Sequence, residues 1–144
     1  MIGFLKGVWD ALFGYPSFKT VPLSHACVKK KLGDWCDNVI LTDSEYKAVR
    51  WEDIPTLFSK NSLRLLKYRK DEYDCDDYAR TASATLHILY GNVAVGEAMV
   101  VYDGVGTCHM LNFVVTWDAN VVFVEPQLNR IIDDVDFAVV FMIL

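Results

Sequence analysis

In the stretch YDCDDYA, residues 73–79, Cys75 lies in a nest of carboxylates: Asp71, Glu72, Asp74, Asp76 and Asp77 are all within four positions of it. A thiolate is a nucleophile and a metal ligand, and nearby negative charge disfavours that ionised form. Cys75 is therefore an activated nucleophile, a ligand, or a small apolar residue in the first turn of a helix. A helix N-terminus offsets part of the acidic penalty, because its free N–H groups and positive dipole end stabilise an anion. The same N–H groups can form part of an oxyanion hole. A cationic imidazole close by would supply the rest, and His109, in CHMLNFVVTW, is the best placed histidine. Glu125 closes the next apolar run, VVFVE, just before Pro126, with Gln127 on the same side if the chain stays extended. Cysteine, histidine and a carboxylate or amide that fixes the histidine's tautomer are the three parts of a thiol triad. Taken singly, each has a plainer reading as core cysteine, strand histidine or strand terminus. Their order along the chain favours the triad.

Such side chains need a helix and two strands beneath them. Asp74 is a good N-cap and Asp77, three residues on, is a capping-box carboxylate, so a helix is expected to begin at Cys75. Its buried stripe would be Ala79, Ala82, Leu86 and Leu89 or Tyr90, ending at Gly91-Asn92. Strands are expected over 93–102, 108–117, 121–125 and 137–144, separated first by DGVGT and DAN turns. Strand parity sets a condition on the triad. His109 and Glu125 share a face only if the residue numbers paired across their hairpin sum to an even number, which needs an odd-length loop or a bulge. Upstream, residues 3–13 put Phe4, Leu5, Val8, Trp9, Leu12 and Phe13 on one helical face before Gly14 and Pro16. This N-terminal docking helix, residues 1–16, is expected to bind a partner chain or a second copy. Residues 19–60 read as irregular, with one turn or more of helix capped by Asp43 or Ser44 and another helix beginning in EDIPTLF. A helix followed by an antiparallel sheet is an α+β layout, one domain over 1–144 with its core at 65–144.

Composition agrees. At 144 residues and 53% hydrophobic, the chain can bury a core without disulfide or metal staples. No window approaches eighteen uninterrupted apolar residues, so no membrane span is expected. The start, MIGFLKGVWDALFG, lacks a charged n-region and a small-residue cleavage site. A cytoplasmic or virion location with reduced thiols is the expectation, not secretion by a signal peptide. The four cysteines form no C-x-x-C pair, and His25, Cys27 and Cys36 could hold a metal only with ligands from elsewhere. Residues 1–70 carry 12 Lys and Arg against 7 acids, net +5, and residues 71–144 carry 2 against 12, net −10. The halves should attract each other or form opposite walls of a cleft, and the overall charge of −5 argues against nucleic-acid binding by the KKK run at 29–31.

The motifs YDCDDYA, CHMLNFVV and VVFVEPQ resemble the papain-like cysteine-protease domain of the fungal MOA-type agglutinin and the small MOA-related proteins of tailed phages, over residues 65–130. That resemblance implies a papain-like or NlpC-like core with a central helix carrying Cys75 packed on an antiparallel sheet. Cys75 would be the nucleophile, His109 the general base and Glu125 its orienting residue, with Gln127 as the alternative. It also implies calcium near the site, where Asp76, Asp77 and Gln127 supply oxygen ligands and the cation offsets the charge that penalises the thiolate. The expected activity is that of a cysteine peptidase-like thiol hydrolase cleaving a peptide or isopeptide amide bond in a protein or peptide substrate. Cell-wall amidases and endopeptidases use the same helix-cysteine, strand-histidine order, and transglutaminase chemistry is a further rival. The non-enzymatic alternative is a catalytically silent phage structural or host-interaction protein that retains the fold. The agglutinin's galactose-binding lectin domain has no counterpart in these residues.

Overall fold

A computed structural model of the chain describes residues 14–59, 66–102 and 106–144. Most of the expected docking helix, residues 1–13, lies outside the described residues, as do 60–65 and 103–105. In chain order the elements are β1 (Val21–Ser24), α1 (His25–Gly33), β2 (Val39–Ile40), β3 (Glu45–Ala48), α2 (Ile54–Ser59), α3 (Cys75–Tyr90), β4 (Val95–Tyr102), β5 (Thr107–Val115), β6 (Val121–Glu125), β7 (Arg130–Ile131) and β8 (Phe137–Ile143). The layout is α+β, with the helix that carries Cys75 packed on a six-stranded sheet of order β2-β8-β4-β5-β6-β7. Neighbouring strands are antiparallel except β2, which runs parallel to β8, so the sheet is not wholly antiparallel as expected. No helix among the described residues is long and apolar enough to cross a membrane.

Helix α3 begins and ends where its sequence dictates. Asp74, in extended conformation, caps it; the Asp77 carboxylate accepts the Asp74 N–H at 3.3 Å; and Gly91, at φ +72°, stops it. Tyr78, Ala79, Ala82, Ser83 and Leu86 form its buried stripe. The small residues let the helix approach the sheet closely, and Asn112 on β5 bridges the gap: its amide donates to the Ala79 carbonyl (2.9 Å) and to the Gly96 carbonyl of β4 (3.0 Å). On this face Tyr78, Ala82 and Leu86 pack with Val95, Val114 and Val124 of the sheet and with Ile54, Leu57 and Phe58 of α2. The opposite face packs Ala98, Val100, Leu111, Phe113 and Phe123 against Val28 and Leu32 of α1 and Tyr46 of β3. Gly96 sits where the layers are tightest: a Cβ there would lie 2.5 Å from Cζ of Phe113 and run into the Ile143 carbonyl.

Cross-strand partners share a face, so Ile40, Ile143, Glu97 and Asn112 form one row on the α3 side, followed by Phe141, Met99 and Met110. Helix α3 covers this face over β4, β5 and β6. Over β8 and β2, Ile40 and Val140 remain 50% and 37% exposed.

Upstream of α3, the chain is more regular than expected. Residues 19–60 contain β1, α1 and β3, and β1 pairs with β3 in a small separate sheet. The Ser24 hydroxyl caps α1 by accepting the Cys27 N–H at 3.2 Å, and Val28 and Leu32, four apart, bury its inner face. The KKK run is the outer face and end of this helix. Where Asp43 or Ser44 was expected to start a helix, β3 alternates exposed Glu45 and Lys47 with buried Tyr46 and Ala48. Burying that period-two pair outweighs local capping. The expected attraction between the oppositely charged halves takes no structural form among the described residues. Apart from His109–Glu125, every ion pair among the described residues joins residues three or four apart in sequence.

Candidate functional site

Cys75 is the first residue of α3 and is partly buried, so its side chain lies beside the free N–H groups of the first turn. The approach to it is braced. Arg69 and Tyr73 exchange backbone hydrogen bonds of 2.9 and 2.8 Å, Tyr73 stacks edge-on against Tyr78 at 4.8 Å, and the Tyr78 hydroxyl donates to the Leu66 carbonyl at 2.6 Å.

The acids around the thiol are organised rather than merely crowded. Asp77 holds the Asp74 N–H, and Arg80, one turn on, pairs with Asp76 at 3.4 Å and Asp77 at 3.8 Å. A hydrogen bond between the Asp74 and Asp76 side chains, helped by the Asp71 N–H, holds the Asp74 carboxyl below the usual range. The same contact, with burial and the neighbouring charges of Asp74 and Asp77, pushes Asp76 up. Arg80, paired with both Asp76 and Asp77, offsets part of the negative charge presented to Cys75.

On the sheet, β5 and β6 pair Asn112 with Val124 and Val115 with Val121 around a five-residue loop, Thr116–Asn120. Those numbers sum evenly, which puts His109 and Glu125 on one face. Nε2 of His109 lies 2.7 Å from Oε2 of Glu125, with the side chains 22% and 14% exposed. A carboxylate accepts only, so Nε2 carries the proton and Nδ1 keeps its lone pair in the neutral ring. The other oxygen, Oε1, accepts the backbone N–H of Gln127 at 3.1 Å. Gln127 thus serves through its main chain, at the turn that Asn129, at φ +49°, closes before β7. Tyr102, which the sequence reading passed over, lies against the His109 ring with centroids 6.4 Å apart.

The third member is aligned with this pair but not bonded to it. Contacts from Ala79 to Asn112 and from Ser83 and His87 to Val95, the partner of Val114, show that α3 and β5 run in the same direction. One helical turn back from Ala79 is ~6 Å, the length of two strand residues, which sets Cys75 level with Met110 and His109. The pleat turns Asn112 and Val114 toward α3, while His109 stands at the open end of the row that continues through Leu111 and Phe113. Among the described residues no hydrogen bond joins Cys75 to the ring.

The expected calcium ligands are brought together only in part. Ligand atoms of Asp74, Cys75 and Asp76 lie within 4.8 Å of one another; Asp77, engaged with Asp74 and Arg80, is not in that group. Gln127 is at the β6–β7 turn. Elsewhere His25 bonds the Asp43 carbonyl at 2.8 Å, the Cys36 thiol bonds the Asn38 carbonyl at 3.6 Å, and His87 Nε2 donates to the Val95 carbonyl at 2.9 Å, all structural roles.

No family model and no curated protein matches the chain. Solved structures do. The fold is shared with a fungal lectin. The PSL1a-E64 complex superposes with a TM-score of 0.72 at 20% identity, over 85% of this chain and 51% of that one. The Polyporus squamosus lectin bound to the human-type influenza-binding epitope Neu5Aca2-6Galb1-4GlcNAc gives 0.71 at 19% identity, over 85% and 49%. The chain therefore spans about half the length of these lectins, and at such identities the likeness is one of fold alone.

Proposed function

We propose that the protein is a thiol hydrolase with a papain-like core, cleaving an amide bond in a peptide or protein. The observation that carries this reading is the part-buried His109–Glu125 hydrogen bond, with the carboxylate gripped at both oxygens. It fixes the ring with Nδ1 as the available base, at about the same level along the sheet as a cysteine at a helix N-terminus. In the reaction Nδ1 takes the Cys75 proton, the sulfur attacks the carbonyl carbon, and the α3 N-terminal N–H groups stabilise the oxyanion. The imidazolium then returns its proton to the leaving amine, and Glu125 steadies its charge throughout. Bound substrate or its approach closes the gap between sulfur and ring, a shortening common between free and substrate-bound active sites.

Calcium remains part of the proposal with an amended ligand set. Asp74 and Asp76 offer hard oxygen donors side by side, which suits the ion, whereas Asp77 would have to leave Arg80. A cation there would supply positive charge next to the thiolate. Asp76→Asn should weaken calcium binding measured by calorimetry while leaving the helix intact.

A second reading has its own support. One structural neighbour is a lectin in complex with a sialylated glycan, and the absence of a Cys75–His109 bond suits a domain that binds without turnover. Hydrolysis of a mixed peptide substrate, with and without calcium, separates the two. Cleavage lost in Cys75→Ala supports the hydrolase; wild type that cleaves nothing yet retains a glycan or protein ligand supports the binding module.

A further inference from the structure

A single hydrogen bond fixes the point at which the His109 ring meets Glu125 but not the plane of the ring. The torsion that turns an imidazole is broad and roughly two-fold, so the ring's plane depends on what lies against its faces.

Register across the sheet shows what lies there. Val100 of β4 stands directly across from His109, and Tyr102 across from Thr107, so Tyr102 shares the face of His109 at the same end of the sheet. The two rings are within aromatic contact range, with centroids 6.4 Å apart and planes tilted by 37°. Tyr102 is itself held. Phe137, its partner on β8, meets it edge-on at 5.6 Å and 77°, and Phe123 meets Phe137 edge-on at 5.2 Å and 88°. Phe123 and Phe137 are 1% and 8% exposed, which anchors the series in the core on the α1 side of the sheet.

The phenol end of Tyr102 lies among charged groups. Burial pushes its hydroxyl up, Glu125 of β6 and Asp136 ahead of β8 add to the shift, and Arg130 of β7 opposes it. The side chain is thus a neutral phenol near neutrality, and its hydroxyl makes no hydrogen bond among the described residues. What it offers His109 is the flat surface of its ring.

We propose that Tyr102 is a positioning residue for His109: clamped by Phe137, its ring holds the imidazole in the plane in which Nε2–H meets Glu125 and Nδ1 stays free. The use made of the fixed ring rests on the hydrolase reading; the holding does not.

Nitrogen-15 NMR of the histidine ring in the full chain tests this. The wild type should show one tautomer for His109, with the proton on Nε2 and that proton visible. Tyr102→Leu should give averaged ring shifts and lose the Nε2 proton to exchange with water, while β5 backbone amides stay protected. Tyr102→Phe, which keeps the ring and removes only the hydroxyl, should retain the wild-type signals. If Tyr102→Leu loses β5 protection, Phe137→Leu decides, because it loosens the clamp behind Tyr102; the Nε2 proton signal should weaken. On a cleaved peptide, Tyr102→Leu should lower kcat about tenfold with KM little changed. A wild type that cleaves nothing but shows these ring signals would remove the hydrolase reading and leave Tyr102 its role. A single tautomer with a visible Nε2 proton in the folded Tyr102→Leu variant, or in Phe137→Leu where that one decides, would overturn the assignment, as would loss of the signal in Tyr102→Phe.

Discussion

On the α3 side of the sheet, β4, β5 and β6 are sealed by a helix whose Ala79, Ala82 and Ser83 let it sit close, whereas β8 and β2, on the same face, leave Ile40 and Val140 half open. The sealed half is held by one buried polar bolt as well as by apolar packing: Asn112 is fully buried and ties α3, β4 and β5 together. Cys75, His109 and Glu125 are carried by α3, β5 and β6, elements of that half, although His109 and Glu125 project from the sheet's other face. The difference shows where rigidity has been placed, since a nucleophile and a base on separate elements need those elements locked in register.

Removing the bolt should break the contrast most severely. Asn112→Ala deletes two buried hydrogen bonds that tie α3 to the sheet and leaves a cavity in their place, so urea unfolding should show a loss of about 3 kcal/mol. A loss below about 1 kcal/mol would mean that apolar packing alone holds α3 in place. Asp74→Ala, which removes the cap at the site end of α3, should cost about 1 kcal/mol in the same measurement. Its effect should be confined to the first turn, read as faster exchange of the Asp76 and Asp77 amides than of those at Leu86.

Glu97 stands on the boundary between the halves. Burial raises its carboxyl above the ordinary range; Arg80 opposes the shift, Asp76 adds to it, and His87 opposes it. The folded protein therefore holds this proton more tightly than the unfolded chain, and stability from it is lost as pH rises through the folded value. Glu97→Gln should accordingly be slightly more stable than wild type near neutrality, with the gain vanishing below pH ~4, where unfolded-state glutamate is protonated. A gain that is the same at both pH values would contradict the boundary's being a burial-strained seam.

Much of the sealed half was legible because its signals are local. Asp74, Asp77 and Gly91 bound α3 through capping chemistry, and the alternation of β5 and β6 gave the parity condition that the Thr116–Asn120 loop satisfies. Asn112, a lone amide within an apolar run, was a visible sign of a buried hydrogen-bonding role that the reading did not use. Helix α1 was hidden because three lysines mask the Val28–Leu32 spacing, and β3 because Asp43 and Ser44 carry a cap signal that tertiary burial of Tyr46 overrides. The grip of the Gln127 N–H on Glu125 was invisible in principle, since a main-chain donor leaves no mark in side-chain identity.

Alkylation of the cysteines by iodoacetamide, followed residue by residue across pH, tests most directly whether these parts form a working thiol site. Cys108 is exposed and serves as the internal reference. At pH ~6, where a peptide thiol is almost wholly protonated, Cys75 should react markedly faster than Cys108, and His109→Ala should remove that advantage while Cys108 is unchanged. Equal rates at Cys75 and Cys108, unaltered by His109→Ala, would contradict the account.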